Sequence, residues 1–552
     1  MTAVPAPTTA ARGGMLDRTL ARAGLDRVEG ALLAALALLS VAVLIPLLAK
    51  GRTITGADGL LAADQLQYLT WIREASHHLL IGNLFDLAPG DRPFLHPLFA
   101  ISGGLVALGF SLPVAYLALW KPVAVLVLFF GTQRYVRRFL PETGPRHTAL
   151  VLALFGVMPA SWIVAFSGWG GKPREYSFDF ISGEMFSGGW LWGYLPTAIA
   201  VGLVPLVLLG VERWRRDESR AMPWLTAAGA LLVCWLQPWQ GAELGLILVG
   251  VEAWRWRRDG ERPRLGLIAV LGGIAIPAFY YLALSHFDPA WELAGEANAR
   301  GAMEAWRWPW WAIVLVLLPL AVPAALAYLK IPATSWQDQA VRIWPFAILA
   351  VYLLPVGTFP YHAFQGLAIP LAILAVQGSL TVWRTPKPAI VVGLLLLMTV
   401  PGIAHKLDVA RNSIQSAGDP YWIFDGERAA MRALEDDPRP GGVLGASYAG
   451  YMLPAYTGRE TYVGAMSWSP DWTERQRPAN ALVEGRLTGQ EARDFVTSTN
   501  ARFVFVDCRP NLAELTETLG PLLEAKRQYG CATVYELKAR PEMARAAGAP
   551  DA

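Results

Sequence analysis

The sequence predicts a polytopic α-helical membrane protein that ends in a small α/β domain. Three observations predict it. Of 552 residues, 54% are hydrophobic and 16% are charged, whereas a soluble globular chain carries about a quarter charged residues. Apolar stretches recur from residue 31 to residue 404, many of the length needed to cross a hydrocarbon layer about 30 Å thick. Beyond Asp408 the composition becomes that of a soluble domain. Mean hydropathy is +0.35. Disorder and a single water-soluble core are excluded by these values. A net charge of +3 gives no footing for nucleic acid. Three cysteines are too few for a disulfide scaffold or a multi-cysteine zinc module.

Residues 1–30 form a polar tail with Arg12, Arg18, Arg22 and Arg27. The first apolar stretch, Ala31–Ala49, begins too late for a signal peptide and runs into Lys50 and Arg52, so it reads as an uncleaved span. Ten more follow: Leu112–Phe130, His147–Phe166, Tyr194–Val211, Ala221–Leu236, Gly241–Ala253, Leu265–Leu284, Pro309–Leu329, Ile343–Val356, His362–Leu380 and Ala389–Ala404. Arginine clusters at 134–146, 213–220 and 255–264, with the N-terminal one, belong on the cytoplasmic side. That leaves two spans between neighbouring clusters and five after the last, giving eleven spans and an external C-terminus. His96–Leu112 is also apolar, but a span there would turn Arg137 and Arg138 outward, so it reads as lying flat on the outer interface. Twelve or thirteen spans are the alternative. The expected organisation is a cytoplasmic tail (1–30) and a membrane domain (31–404) with outer loops at 50–95, 167–193 and 285–308. An extracytoplasmic α/β domain (405–540) and a frayed end (541–552) complete it. The expected location is the inner (plasma) membrane.

In the tail, Gly442–Ser447, Glu460–Val463, Arg502–Asp507 and Ala532–Leu537 read as strands, and Gly489–Thr497 and Leu512–Lys526 as helices. This alternation predicts a small parallel or mixed sheet. Cys508 and Cys531 flank strand ends and are candidates for a disulfide in an oxidising compartment; two unpaired thiols are the alternative.

Ionisable residues beside apolar segments carry the functional information. In the first outer loop, Leu66, Leu69, Ile72 and Ala75 keep a helical beat. The helix would lie apolar side down with Asp64 at its start, either as a cap or as a general base facing a pocket. Arg92 and His96 stand just before the next membrane contact. In the second outer loop, Lys172 and Arg174 could neutralise a phosphate. Asp179 and Glu184 could hold a divalent cation or orient a sugar hydroxyl, or the loop's charges could simply pair off. Trp239 with Gln240, and His362 with Gln365, bring aromatic rings, an imidazole and amides to the outer ends of spans. No phosphate-binding Gly-Lys-Thr/Ser loop, dinucleotide turn or His-Glu-x-x-His helix occurs.

An early Asp on a surface helix (Asp64 with Tyr68), an Arg/His-Pro entry to the next segment (Arg92, His96-Pro97), more acids in the second outer loop and a soluble tail form a familiar arrangement. It resembles the C-type (GT-C) membrane glycosyltransferase superfamily, in which bacterial, actinobacterial-like members use polyprenyl-phosphate sugars. The tail from Tyr448 to Gly464 is also similar to bacterial members. The paired Asp-x-Asp that some members carry in the second loop is missing; Asp179 and Glu184 stand there at another spacing. The resemblance implies a hexosyl- or pentosyltransferase of the cell envelope. It would move a sugar from a polyprenyl-phosphate donor to an extracytoplasmic glycan, lipid or protein, with inversion and with Asp64 as general base. Arg92, His96, Lys172 and Arg174 would attend the donor phosphate, and Tyr68, Asp179, Glu184, Trp239, Gln240, His362 and Gln365 the substrates. No cofactor is required by it beyond a candidate divalent cation at Asp179 and Glu184. The alternatives are a transporter or flippase of lipid-linked sugars, which would need ionisable groups in mid-span, and a non-catalytic envelope scaffold.

Overall fold

The computed structural model describes residues 15–88, 90–156, 181–217, 221–300, 310–354, 359–382, 388–415 and 420–539. Lys172, Arg174 and Asp179 lie outside them. Each apolar stretch carries a helix in its described part. Among the described residues, six helices are long and apolar enough to cross a membrane: Val114–Phe139, Leu195–Arg216, Gly266–Phe287, Trp310–Lys330, Pro360–Leu380 and Gly393–Gln415. The first stretch is divided into Arg27–Val41 and Leu44–Ala49. The segment expected to lie flat forms the helix Pro97–Ala107, 11 residues long. At 1.5 Å per residue it spans about 17 Å, well short of a bilayer core.

Local chemistry explains several boundaries. Arg27–Val41 opens with a reciprocal cap: the Asp26 carboxylate accepts from the Glu29 amide at 2.9 Å, and Glu29 accepts from the Asp26 amide at 3.0 Å. Arg146 then pairs with both carboxylates at 2.8 Å, joining this helix start to the helix Thr143–Phe155. Helices Val114–Phe139 and Leu195–Arg216 meet through Gly131 and Gly202; a Cβ on Gly131 would stand 1.9 Å from the Gly202 carbonyl oxygen. Only glycine lets the two backbones come that close.

Two strands, β1 (Thr53–Ile54) and β2 (Trp422–Ile423), pair antiparallel and tie the loop after the first apolar stretch to the start of the tail. Ion pairs Arg73–Glu435 (2.5 Å) and Arg475–Asp86 (2.7 Å) hold the same two parts together. The tail contains a four-stranded sheet of β3 (Val443–Gly445), β4 (Phe503–Val506), β5 (Leu523–Tyr529) and β6 (Ala532–Leu537), in the order β3-β4-β6-β5. β3 and β4 are parallel and the other pairs antiparallel, which makes the sheet mixed.

Two expectations for the tail are corrected. Leu512–Lys526 is not one helix: a single turn at Thr516–Leu519 gives way to β5. Gly520 and Pro521 interrupt the helix, and β5 then pairs with β6 across Gly530, whose φ of 62° suits a tight turn. Glu460–Val463 makes only a single bridge, Thr461 to Val443, at the sheet edge.

Cys508 and Cys531 are joined by a disulfide, with Cα atoms 5.0 Å apart. The buried Glu427 carboxylate accepts from the Cys508 amide at 3.1 Å and from the Phe424 amide at 3.0 Å. Burial pushes the Glu427 carboxyl up to about 7. A carboxyl raised in this way binds its proton more tightly in the folded chain than in the unfolded one. Its contribution to stability is therefore full below the usual glutamate value and is lost as pH rises to about 7, on the order of 3 kcal/mol. Thermal unfolding of the full chain should show higher stability at pH 5 than at pH 8, and Glu427→Gln should flatten that slope.

Candidate active site

The site begins with a clamp on residues 55–65. Asp58 is fully buried, and its carboxylate lies 2.6 Å from the Lys121 ammonium on the helix Val114–Phe139. Lys121 also donates to the Ser40 and Leu191 carbonyls at 2.9 and 2.6 Å. A lysine inside an apolar helix needs such company, because an unpaired charge there is expensive. Gln65 completes the clamp: its carbonyl oxygen accepts from the Asp58 and Gly59 amides, and its Nε2 donates to Asp58. Gly193, at φ 108°, lies so close that a Cβ would fall 1.4 Å from Gln65 Nε2. From the tail, the Tyr421 hydroxyl donates to the Gly59 carbonyl at 2.9 Å.

This clamp sets the start of the helix Ala62–Ala75, which buries Leu66, Leu69 and Ile72. The helix has Leu61 at its N-cap, and Asp64 stands in the first turn. There the exposed amides and the helix dipole favour a negative charge. The Tyr194 hydroxyl donates to Asp64 Oδ2 at 2.7 Å. Both Asp64 and Glu184 act electrostatically on Tyr194, and Asp64 acts likewise on His362. Glu184 is the hub of the second half. Its Oε2 is 3.2 Å from His362 Nδ1 and accepts from Gln365 Nε2 at 2.9 Å. Gln237 donates to Gln365 Oε1 at 3.3 Å and to the Thr197 hydroxyl at 3.1 Å. Gln240 donates to the Gln365 carbonyl at 2.9 Å. A cation completes the group: a Cβ on Gly183 would stand 3.2 Å from Lys406 Nζ, and Lys406 is buried.

Of the residues singled out from sequence, Asp64 and Tyr68 thus meet at Tyr194, and Glu184, Gln240, His362 and Gln365 form one hydrogen-bonded group. Tyr68 is buried among Trp71, Phe99, Tyr116 and Tyr194, and burial together with the Asp64 charge raises its hydroxyl well above the usual range. Trp239 packs with Ala363 and Val351, beside His362. Arg92 stands elsewhere. Its guanidinium is 2.6 Å from Glu74, ten residues beyond Asp64 on the same helix, which is about 15 Å. His96 stacks on Phe99 with ring centres 4.1 Å apart. Burial lowers its imidazole to about 3, so it is neutral at pH 7 and offers no positive charge to a phosphate.

Among the described residues, one group of three metal-ligating side chains has its ligand atoms within 4.8 Å of one another: Asp26, Glu29 and His147. Arg146 already pairs with both of its carboxylates. Among the described residues, the donors around Glu184 form no such group.

No protein-family model matches the sequence, and no curated protein matches it. Solved structures do match, over most of its length. The oligosaccharyltransferase AglB from Archaeoglobus fulgidus, in complex with an inhibitory peptide and a dolichol-phosphate, aligns at TM-score 0.50 and 13% identity, over 86% of this chain and 69% of that one. The arabinofuranosyltransferase AftD from Mycobacteria aligns at TM-score 0.51 and 15% identity, over 93% of this chain and 40% of that one. The chain shares its fold with these two transferases. At these identities the likeness is one of fold, and the chemistry must be argued from the side chains.

Sequence reading missed four residues of this site. Tyr194 looked like the first residue of a span. Lys121 and Lys406 sit within or at the end of apolar helices, and a cation in such a helix is itself a signal. Asp58 carried none, since nothing local sets it apart from a solvated loop carboxylate. Replacing Lys121 by Met should cost about 3–5 kcal/mol, because it strands the buried Asp58 charge. Adding Asp58→Asn should recover part of that loss, which thermal unfolding of the four-member mutant cycle measures.

Proposed function

We propose that this chain is a membrane glycosyltransferase that moves a sugar from a polyprenyl-phosphate donor to an extracytoplasmic glycan, lipid or protein acceptor. The observation that carries the reading is the Asp64 carboxylate, held at a helix start by the Tyr194 hydroxyl beside a second carboxylate, an imidazole and a buried ammonium. The GT-C fold supports it, as does the lipid phosphate bound in the archaeal complex.

In this reading Asp64 removes the proton of the acceptor hydroxyl as its oxygen bonds to the anomeric carbon. The bond from that carbon to the phosphate oxygen breaks on the opposite face. Its electron pair leaves with the polyprenyl phosphate, and the configuration inverts. Lys406 supplies positive charge where the leaving phosphate gains negative charge. Glu184, His362, Gln365 and Gln240 orient sugar hydroxyls. Lys172 and Arg174 would add to the phosphate site, and Asp179 with Glu184 would hold a divalent cation. The eleven-span arrangement, with the tail outside and the N-terminus in the cytoplasm, belongs to the same reading. The Cys508–Cys531 disulfide fits an oxidising exterior.

Asp64→Asn keeps the shape and most hydrogen bonds but removes the base. It should lower sugar incorporation roughly 10²–10⁴-fold while the protein still inserts and expresses. Full incorporation by that variant, measured with radiolabelled polyprenyl-phosphate sugar in membranes, would overturn the reading.

A further inference from the structure

A cleft of about 630 Å³ opens where the first apolar stretch, the helix Gly393–Gln415 and the tail meet. None of the Asp64 cluster lines it. Its lower wall is apolar: Pro46 comes from the helix Leu44–Ala49, and Leu407 and Ile414 from the long helix. Its rim is cationic, with Lys50, Arg52, Arg411 and Arg509, and no carboxylate lines it. Arg509 is already matched, by Asp507 at 2.9 Å, and lies over the Tyr448 ring at 4.5 Å. Arg52 lies over the Trp422 and Phe424 rings at 5.9 and 5.7 Å. Among the described residues, no carboxylate pairs with Lys50, Arg52 or Arg411. Three cations around one hollow repel one another, and an anion between them would relieve that.

We infer that this cleft binds the phosphate head group of a membrane lipid. Both apolar helices end at it, so it stands at the edge of the hydrocarbon layer, where lipid phosphates lie. The cleft is matched to an amphiphile: chain against Pro46, Leu407 and Ile414, phosphate among Lys50, Arg52 and Arg411. Arginine suits the phosphate because its planar fork donates two parallel hydrogen bonds to it. A lipid seated there touches the first stretch, the last long helix and the tail at once, and so joins the tail to the membrane-spanning part. The inference does not depend on the transferase reading, since it concerns other residues and another ligand contact.

Native mass spectrometry of the full chain in detergent, mixed with phosphatidylglycerol, phosphatidylcholine, a polyprenyl phosphate or inorganic phosphate, tests it. Phosphatidylglycerol or the polyprenyl phosphate should stay bound where phosphatidylcholine does not, and which of the two is lost from the cleft variants below identifies the source of the phosphate held here. Arg52→Ala and Arg411→Ala should each weaken retention on the order of fivefold, and Arg411→Lys, which keeps the charge without the fork, should restore part of it. Equal retention of phosphatidylcholine, or inorganic phosphate bound as strongly as either lipid, overturns the proposal on the wild-type chain alone. So does unchanged retention in arginine variants that keep the wild-type circular dichroism.

Discussion

The Lys121 ammonium and the Asp58 carboxylate meet at 2.6 Å in the buried interior, and the position of the candidate site follows from that contact. Each charge is costly there alone and tolerable only with the other. The pair therefore allows one placement of the loop before Ala62, the placement that brings Asp58 to the helix carrying Lys121. Gln65 then locks the helix Ala62–Ala75 to the loop, and Gly193 leaves it room. Asp64 is one residue from Gln65, so what fixes the one fixes the other.

The second half of the site is held differently. Glu184, His362, Gln365, Gln237 and Gln240 are mutually hydrogen-bonded, and they come from helices far apart in the chain. A buried polar network of this kind is favourable only when its members are satisfied together. It gives each side chain a set orientation, which a binding site needs. Tyr194 links the two halves, since its hydroxyl donates to Asp64 and it feels the charge of Glu184. The tail contributes from above: Tyr421 bonds to Gly59, and strand β2 pairs with β1. The tail is thus built into the support of the loop that presents Asp64.

Charge is distributed over the molecule in two ways. Among the apolar helices the buried Lys121 is matched to Asp58, and the buried Arg146 to Asp26 and Glu29. Around the cleft at the foot of the tail, no carboxylate among the described residues pairs with Lys50, Arg52 or Arg411. The difference follows from solvent: a cation at the edge of the apolar layer can remain hydrated until an anion arrives, whereas one in the interior cannot.

Much of the fold was legible in the residues alone. Among the described residues hydropathy located the apolar helices, because burying or spanning with apolar side chains is a local, additive property. The beat of Leu66, Leu69 and Ile72 predicted the helix bearing Asp64, and the strands at Val443, Phe503 and Ala532 were read from short apolar runs. The segment Leu512–Lys526 was misread because its apolar residues suit a helix as well as a strand, and pairing with β6 decided between them. For the site, sequence alone nominated Asp64, Glu184, His362 and Gln365 as polar groups beside apolar segments. It could not join them, since the ion pair that places Asp64 and the network that orients Glu184 connect residues far apart in the chain. Those contacts exist only once the helices pack, and packing also set Arg92 against Glu74 and stripped His96 of its charge.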